Sequence, residues 1–172
     1  VLLEADRIGW AASGRNGGFC SASLTHGEAN GRERWPLEYP QLAALGRGNL
    51  DGLRAAVDRY GIDCQLEATG ELTVATEAYQ VPALQEGAAE AEPHDHVTFL
   101  DRDAIRSEVA SPTYQAGLWD HDGTVLVHPA RLAWGLARAC EEAGVRIHEH
   151  TPVTGLRSGP LRLDTPGGVV RP

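Results

Sequence analysis

A carboxylate, Glu4, closes the apolar run Val1-Leu2-Leu3, and a loop of small residues follows it: Ser13, Gly14, Arg15, Asn16, Gly17 and Gly18. A carboxylate at the carboxyl end of a buried parallel strand can accept hydrogen bonds from both hydroxyls of a ribose. Glycines let backbone N–H groups approach a pyrophosphate, because no Cβ holds the ligand off. Ser13 offers a hydroxyl, Arg15 a cation and Asn16 an amide, each able to meet a diphosphate or polyol oxygen. The chemistry is that of nucleotide binding. GRNGG by itself also reads as a surface turn; the strand and acid ahead of it favour the cofactor.

Other candidates are single residues. His26, in the small polar run 19–27, could accept a proton or hold a substrate, or serve as a hydrogen-bonded loop residue. His94-Asp95-His96 looks like part of a metal site, but no further ligand stands at useful spacing, so a solvent loop is the preferred reading. Arg47, Arg54 and Arg59 read as a solvated helix face, with carboxylate binding as the sharper alternative.

The elements that must position these groups follow from periodicity. Residues 1–3 form a short parallel strand. Leu42, Leu45, Leu50, Leu53, Val57 and Tyr60 predict one helix over 37–60, capped by Gly61, with Gly46, Gly48 and Gly52 marking a kink or close packing. Alternation over 64–76 predicts a short hairpin turning at Gly70, or two strands joined by a bend there. An exposed helix is expected over 77–92, stopped by Pro93, then a strand at 97–100 and a helical turn over 101–109 capped by Asp101 or Asp103. Strands at 114–119 and 125–127 flank the turn Asp120-His121-Asp122-Gly123. Pro129 opens a helix that Gly144 ends, and a strand at 145–148 completes a right-handed βαβ unit. Residues 156–170 begin a meander, turning at 164–168.

Two ordered blocks carry a family resemblance. One is Glu4, Ile8-Gly9-Trp10 and Ala12 through Phe19; the other is His128-Pro129-Ala130-Arg131-Leu132, Gly144-Val145 and Glu149 through Val153. Together they resemble FAD-dependent oxidoreductases of the D-amino-acid oxidase superfamily, the group of glycine, D-amino-acid, sarcosine and γ-glutamylputrescine oxidases. The resemblance implies an α/β (α+β) fold: a partial FAD/NAD(P)-binding Rossmann-type domain with an inserted antiparallel-sheet substrate domain. Residues 1–30 would be a partial FAD-binding domain, 31–127 a substrate-binding lobe and 128–172 the second FAD-binding segment.

It further implies that the loop from Ala12 to Gly18 runs along FAD from adenosine towards flavin, and that Val153 holds the adenine edge through its backbone N–H and C=O. His121 and Trp119 would stand near the substrate cavity, though turn and core roles also suit them. Cys20 is a lesser candidate as a covalent flavin anchor, since linking residues in related enzymes occupy other motif contexts. The implied reaction is oxidation of the C–N bond of a small amine or amino acid by hydride transfer to FAD. Water would hydrolyse the imine and O2 would reoxidise the flavin to give H2O2. Hydride transfer from a neutral amine requires no general base. A dehydrogenase passing electrons to a quinone or carrier stays open, as does an inactive truncated nucleotide-binding fragment.

Such enzymes carry a G-x-G-x-x-G turn about 20 residues before the ribose acid. With the acid at residue 4, the expectation is an internal fragment, inactive alone. The hydrophobic share of 42% supports a core, and the net charge of -9 argues against a nucleic-acid partner. No apolar run approaches the ~20 residues of a membrane helix, and the first residues lack a signal-peptide pattern. Cys20, Cys64 and Cys140 show neither metal nor disulfide spacing and read as reduced thiols of a cytoplasmic protein.

Overall fold

A computed structural model describes residues 1–91 and 96–171. In chain order the elements are β1 (Leu2–Leu3), α1 (Ala12–Arg15), β2 (Phe19–Ser21), α2 (Glu28–Arg34), α3 (Tyr39–Arg59), β3 (Glu71–Ala75), a 3-10 turn (Ala78–Gln80), α4 (Val81–Glu90), β4 (Val97–Leu100), α5 (Arg102–Glu108), β5 (Ala116–Asp120), β6 (Thr124–Leu126), α6 (Pro129–Glu142), β7 (Ile147–His148), β8 (Gly155–Ser158), β9 (Leu161–Thr165) and β10 (Gly168–Val170). They assemble into two units. Unit 1 takes Val1–Gly18, Leu53–Leu66 and Val127–Pro172; unit 2 takes Phe19–Gly52 and Glu67–Leu126.

In unit 1, β1 pairs in parallel with β7, Leu2 opposite Ile147 and Leu3 opposite His148. The amphipathic helix α6 joins the strand end to this pair. His128 caps it, its ring Nδ1 accepting the Arg131 N–H at 3.4 Å, and Pro129 occupies the first turn, where no N–H is missed. Helix α6 packs on the segment after α3: a Cβ on Gly135 would stand 2.3 Å from Ile62. Ile62, Cys64, Val57, Val127 and Ala139 form the buried centre. Burial pushes the Cys64 thiol up from its ordinary pKa, so it remains protonated. The meander β8–β9–β10 completes the unit, turning at Pro166-Gly167 between Thr165 and Gly168, which pair.

Unit 2 is built on the sheet β3-β5-β4, antiparallel throughout, with Leu72 opposite Trp119 and Phe99 opposite Leu118. Gly87 of α4 meets Leu118, and Ile105 of α5 meets Gly117. Residues 117 and 118 project from opposite sides of a strand, so the two helices cover opposite faces. Asp101 caps α5 by accepting the N–H groups of Asp103 and Ala104 at 3.1 and 2.9 Å. Ile105 and Ala75 are fully buried, with Ala116, Val125 and Leu50 nearly so. A second ladder joins β2 to β6, Cys20 opposite Val125.

Over 64–76 the chain bends between two stretches and does not form a hairpin: Glu67 bridges to Leu126 and β3 pairs with β5. Gly70 lies against the Asp120 carbonyl, a Cβ there standing 2.1 Å from it, so the bend leads β3 onto a distant strand instead of back on its neighbour. The helix expected at 77–92 begins as the 3-10 turn, where Glu77 and Gln80 form a reciprocal capping box; Glu92 and Pro93 lie outside the described residues. Packing explains the make-up of the two units. Residues 19–30 belong with unit 2 because β2 pairs with β6, and because Gly46 lies against the Ala22 carbonyl. Residues 53–66 return to unit 1, where Ile62 and Cys64 pack.

Candidate functional site

Parallel pairing places Glu4 at the carboxyl end of β1. The Leu2 N–H donates to the Arg146 carbonyl at 2.9 Å, and the Glu4 N–H to that of His148 at 3.0 Å. The ladder then reverses roles: the Thr151 N–H donates to the Glu4 carbonyl at 2.8 Å, and the His150 N–H to that of Asp6 at 2.7 Å. Glu4 is half-buried. Its Oε1 accepts the Asp6 N–H at 3.0 Å, and among the described residues its other oxygen has no partner. Val153 follows two residues after Thr151, 47% exposed, with neither its N–H nor its C=O bonded among the described residues.

The glycine-rich loop is organised from within. Asn16 Nδ2 donates to the carbonyls of Ala12 and Ser13 at 3.0 and 3.2 Å, and its Oδ1 accepts the Gly18 N–H at 2.8 Å. The amide is thus used in shaping the loop. Gly18 is buried at φ +77, and a Cβ there would stand 2.1 Å from the Val127 carbonyl, which ties the loop to the start of α6. The Val127 N–H returns to the Gly18 carbonyl at 2.9 Å. Arg15 lays its guanidinium 4.6 Å from the centre of the Trp10 ring. Ser13 and Gly17 are exposed.

A cleft of about 310 Å³ lies between Trp10, Arg15, Arg7 and Trp134. The Trp134 indole N–H donates to the Ile8 carbonyl at 3.0 Å and so fixes one wall. Neither Glu4 nor Val153 lines this cleft. Gly14 and Arg15 of the glycine-rich loop do line it.

The histidine and Trp119 candidates fall in unit 2. His26 is exposed at φ 56, in a loop where Ser23 Oγ accepts the N–H groups of Thr25 and Gly27. Trp119 and His121 stack at 4.5 Å; the indole donates to the Thr69 carbonyl and His121 Nε2 meets Thr98 Oγ1 at 3.1 Å. His94 and Asp95 lie outside the described residues, and His96 pairs with Asp122 at 2.6 Å. Among the described residues no group of three or more His, Cys, Asp or Glu could hold a metal ion. Among the described residues no helix is long and apolar enough to cross a membrane.

One residue escaped the reading of roles. Glu149 Oε1 accepts the Ile8 N–H at 2.7 Å across 141 residues of sequence. It stands inside the second resembling block, yet a side chain that serves a distant backbone leaves no periodicity or spacing to find it by.

The residues of unit 1 fit the adenosine half of FAD. A strand-end carboxylate keeps an oxygen open, and beyond it Val153 presents an unpaired backbone donor and acceptor.

Comparison with known proteins agrees. The family description "FAD dependent oxidoreductase" matches residues 1–171. Gamma-glutamylputrescine oxidoreductase of Escherichia coli (strain K12) is 36% identical over 162 residues, covering 91% of this chain and 37% of that protein. Glycine oxidase from Geobacillus kaustophilus superposes with a TM-score of 0.74 at 25% identity, covering 98% of this chain and 45% of the other. L-Amino acid deaminase from Proteus myxofaciens, at 17% identity and a TM-score of 0.73, shares the fold. The chain thus spans well under half the length of these relatives.

Proposed function

Because this chain belongs to the FAD dependent oxidoreductase family, we propose that unit 1 holds the adenosine half of FAD in an enzyme that oxidises the C–N bond of a small amine or amino acid. FAD, when bound, supplies the two-electron redox chemistry, with O2 as final acceptor giving H2O2. The chain's own part is binding and orientation. Glu4 accepts the ribose hydroxyl hydrogens, Val153 meets the adenine edge through its main chain, and Ser13 to Gly18 form a loop along the diphosphate. Arg15 neutralises anionic charge by leaving Trp10, and Asn16, Gly14 and Gly18 keep the loop's shape. Unit 2 is the substrate-side lobe, with Trp119 and His121 as its aromatic candidates and His26 as the weaker one. The amine substrate class rests on the relatives named above, a gamma-glutamylputrescine oxidoreductase and a glycine oxidase.

The observation that supports this reading is the strand-end carboxylate of Glu4 beside the segment leading to Val153. In the intact protein, Glu4→Ala should weaken FAD retention by about 1–3 kcal/mol through lost ribose hydrogen bonds. Flavin absorbance after gel filtration measures it. The same preparation should consume O2 when given primary or N-methyl amines. A colourless protein that takes up no added FAD, or unchanged retention in Glu4→Ala, returns Glu4 to a purely structural role.

A further inference from the structure

We infer that Glu149 is a positioning residue for the nucleotide, setting the spacing between the ribose acid and the adenine-binding segment; this rests on the reading of Glu4 and Val153 given above. Two stretches leave the parallel pair at the same end, 4–8 after β1 and 149–153 after β7. Nothing in the two-residue ladder itself holds them in register beyond Glu4. Three bonds form a seam between them: Thr151 N–H to the Glu4 carbonyl, His150 N–H to the Asp6 carbonyl, and Ile8 N–H to Glu149 Oε1.

The first two are backbone bonds and specify no side chain. The third is charge-assisted and needs a side-chain acceptor oxygen at this reach from residue 149. It pins the chain at Ile8, where the glycine-rich segment begins. His150, at φ 50, bends the chain in the left-handed conformation between Glu149 and Thr151. Glu149 thus reaches the nucleotide through its effect on residues 4–8 and 153, without touching it.

The test uses the intact flavoprotein stripped of flavin, with FAD and ADP titrated calorimetrically. Glu149→Ala should weaken both by about tenfold, the scale of one charge-assisted hydrogen bond. Equal losses for the two ligands are expected, since the seam serves the shared adenosine half. Glu149→Gln keeps an acceptor oxygen and should stay within about threefold. Glu149→Asp keeps the charge with a shorter reach and should fall between, which serves if the alanine variant fails to fold. Affinities unchanged in folded Glu149→Ala, with only a lower Tm, would overturn the inference. Glu4→Ala separates the two ideas. If it weakens ADP and FAD while Glu149→Ala does not, positioning alone fails; if neither ligand responds to Glu4→Ala, the nucleotide reading fails.

Discussion

Gly14 lies so close to Gly9 that a Cβ added to it would stand 1.8 Å from the Gly9 carbonyl oxygen. Backbone meets backbone there, so no side chain can yield. Gly14→Ala should displace α1 from its seat and lower the stability of the unit by several kcal/mol, in the range of overpacked and strained sites. Chemical denaturation of the intact protein measures it. A loss under about 0.5 kcal/mol, typical of open surface positions, would show that the loop shifts freely.

Asn16 should matter through loop shape. Asn16→Ala deletes both donors to Ala12 and Ser13 and the acceptor for Gly18. Each bond contributes about 1 kcal/mol net. Faster amide exchange at Gly18, together with weaker FAD retention, is the expected pair of results. Weaker retention with Gly18 exchange unchanged would instead indicate direct contact with the ligand.

Ile105 is fully buried between α5 and the sheet, against Gly117. Ile105→Ala should destabilise unit 2 by roughly 2–5 kcal/mol through lost burial and the cavity left. Thermal unfolding of the variant reads this directly.

Asp164 receives the Arg162 guanidinium at 2.7 Å and that of Arg157 at 3.4 Å. The Arg162 hydrogen bond, with charge from both arginines, holds its carboxyl below the ordinary value. A lowered folded-state pKa means the unfolded chain binds the proton more readily. Its contribution is therefore present above pH ~4, the unfolded value, and fades as pH falls through the lower folded one. Amide exchange in β8 and β9 should accelerate below pH ~4, and Asp164→Asn should flatten that dependence.

The Cys64 thiol is fully buried and its pKa raised by burial. Native-state alkylation should spare it while modifying Cys20 and Cys140, both partly exposed. Peptide mass spectrometry gives the ratio; equal labelling would mean that unit 1 opens locally.

Much of this architecture is written locally. The leucine and valine spacing that predicts a helix over 37–60 matches α3 to within two residues at its start, because helical period is a property of neighbours. The Asp101 cap and the Pro129 start are equally local. Strand partners are not. Alternation around Gly70 suited a hairpin as well as two strands joined by a bend; the bend forms and β3 pairs with β5 across more than 40 residues, a choice no near-neighbour rule encodes. At the site, Glu4 and the glycines stand out by type and order, whereas Glu149 serves a distant N–H and the Asn16 amide turns inward. Both are geometry that residue type alone leaves open.

The β1–β7 pair has a kinetic consequence. Leu2 must await Ile147 before the β1–β7 ladder can form. At about 5–20 residues per second, translation takes roughly 7–30 s to cover that interval. The seam between residues 4–8 and 149–153 therefore closes only after all of unit 2 has been made.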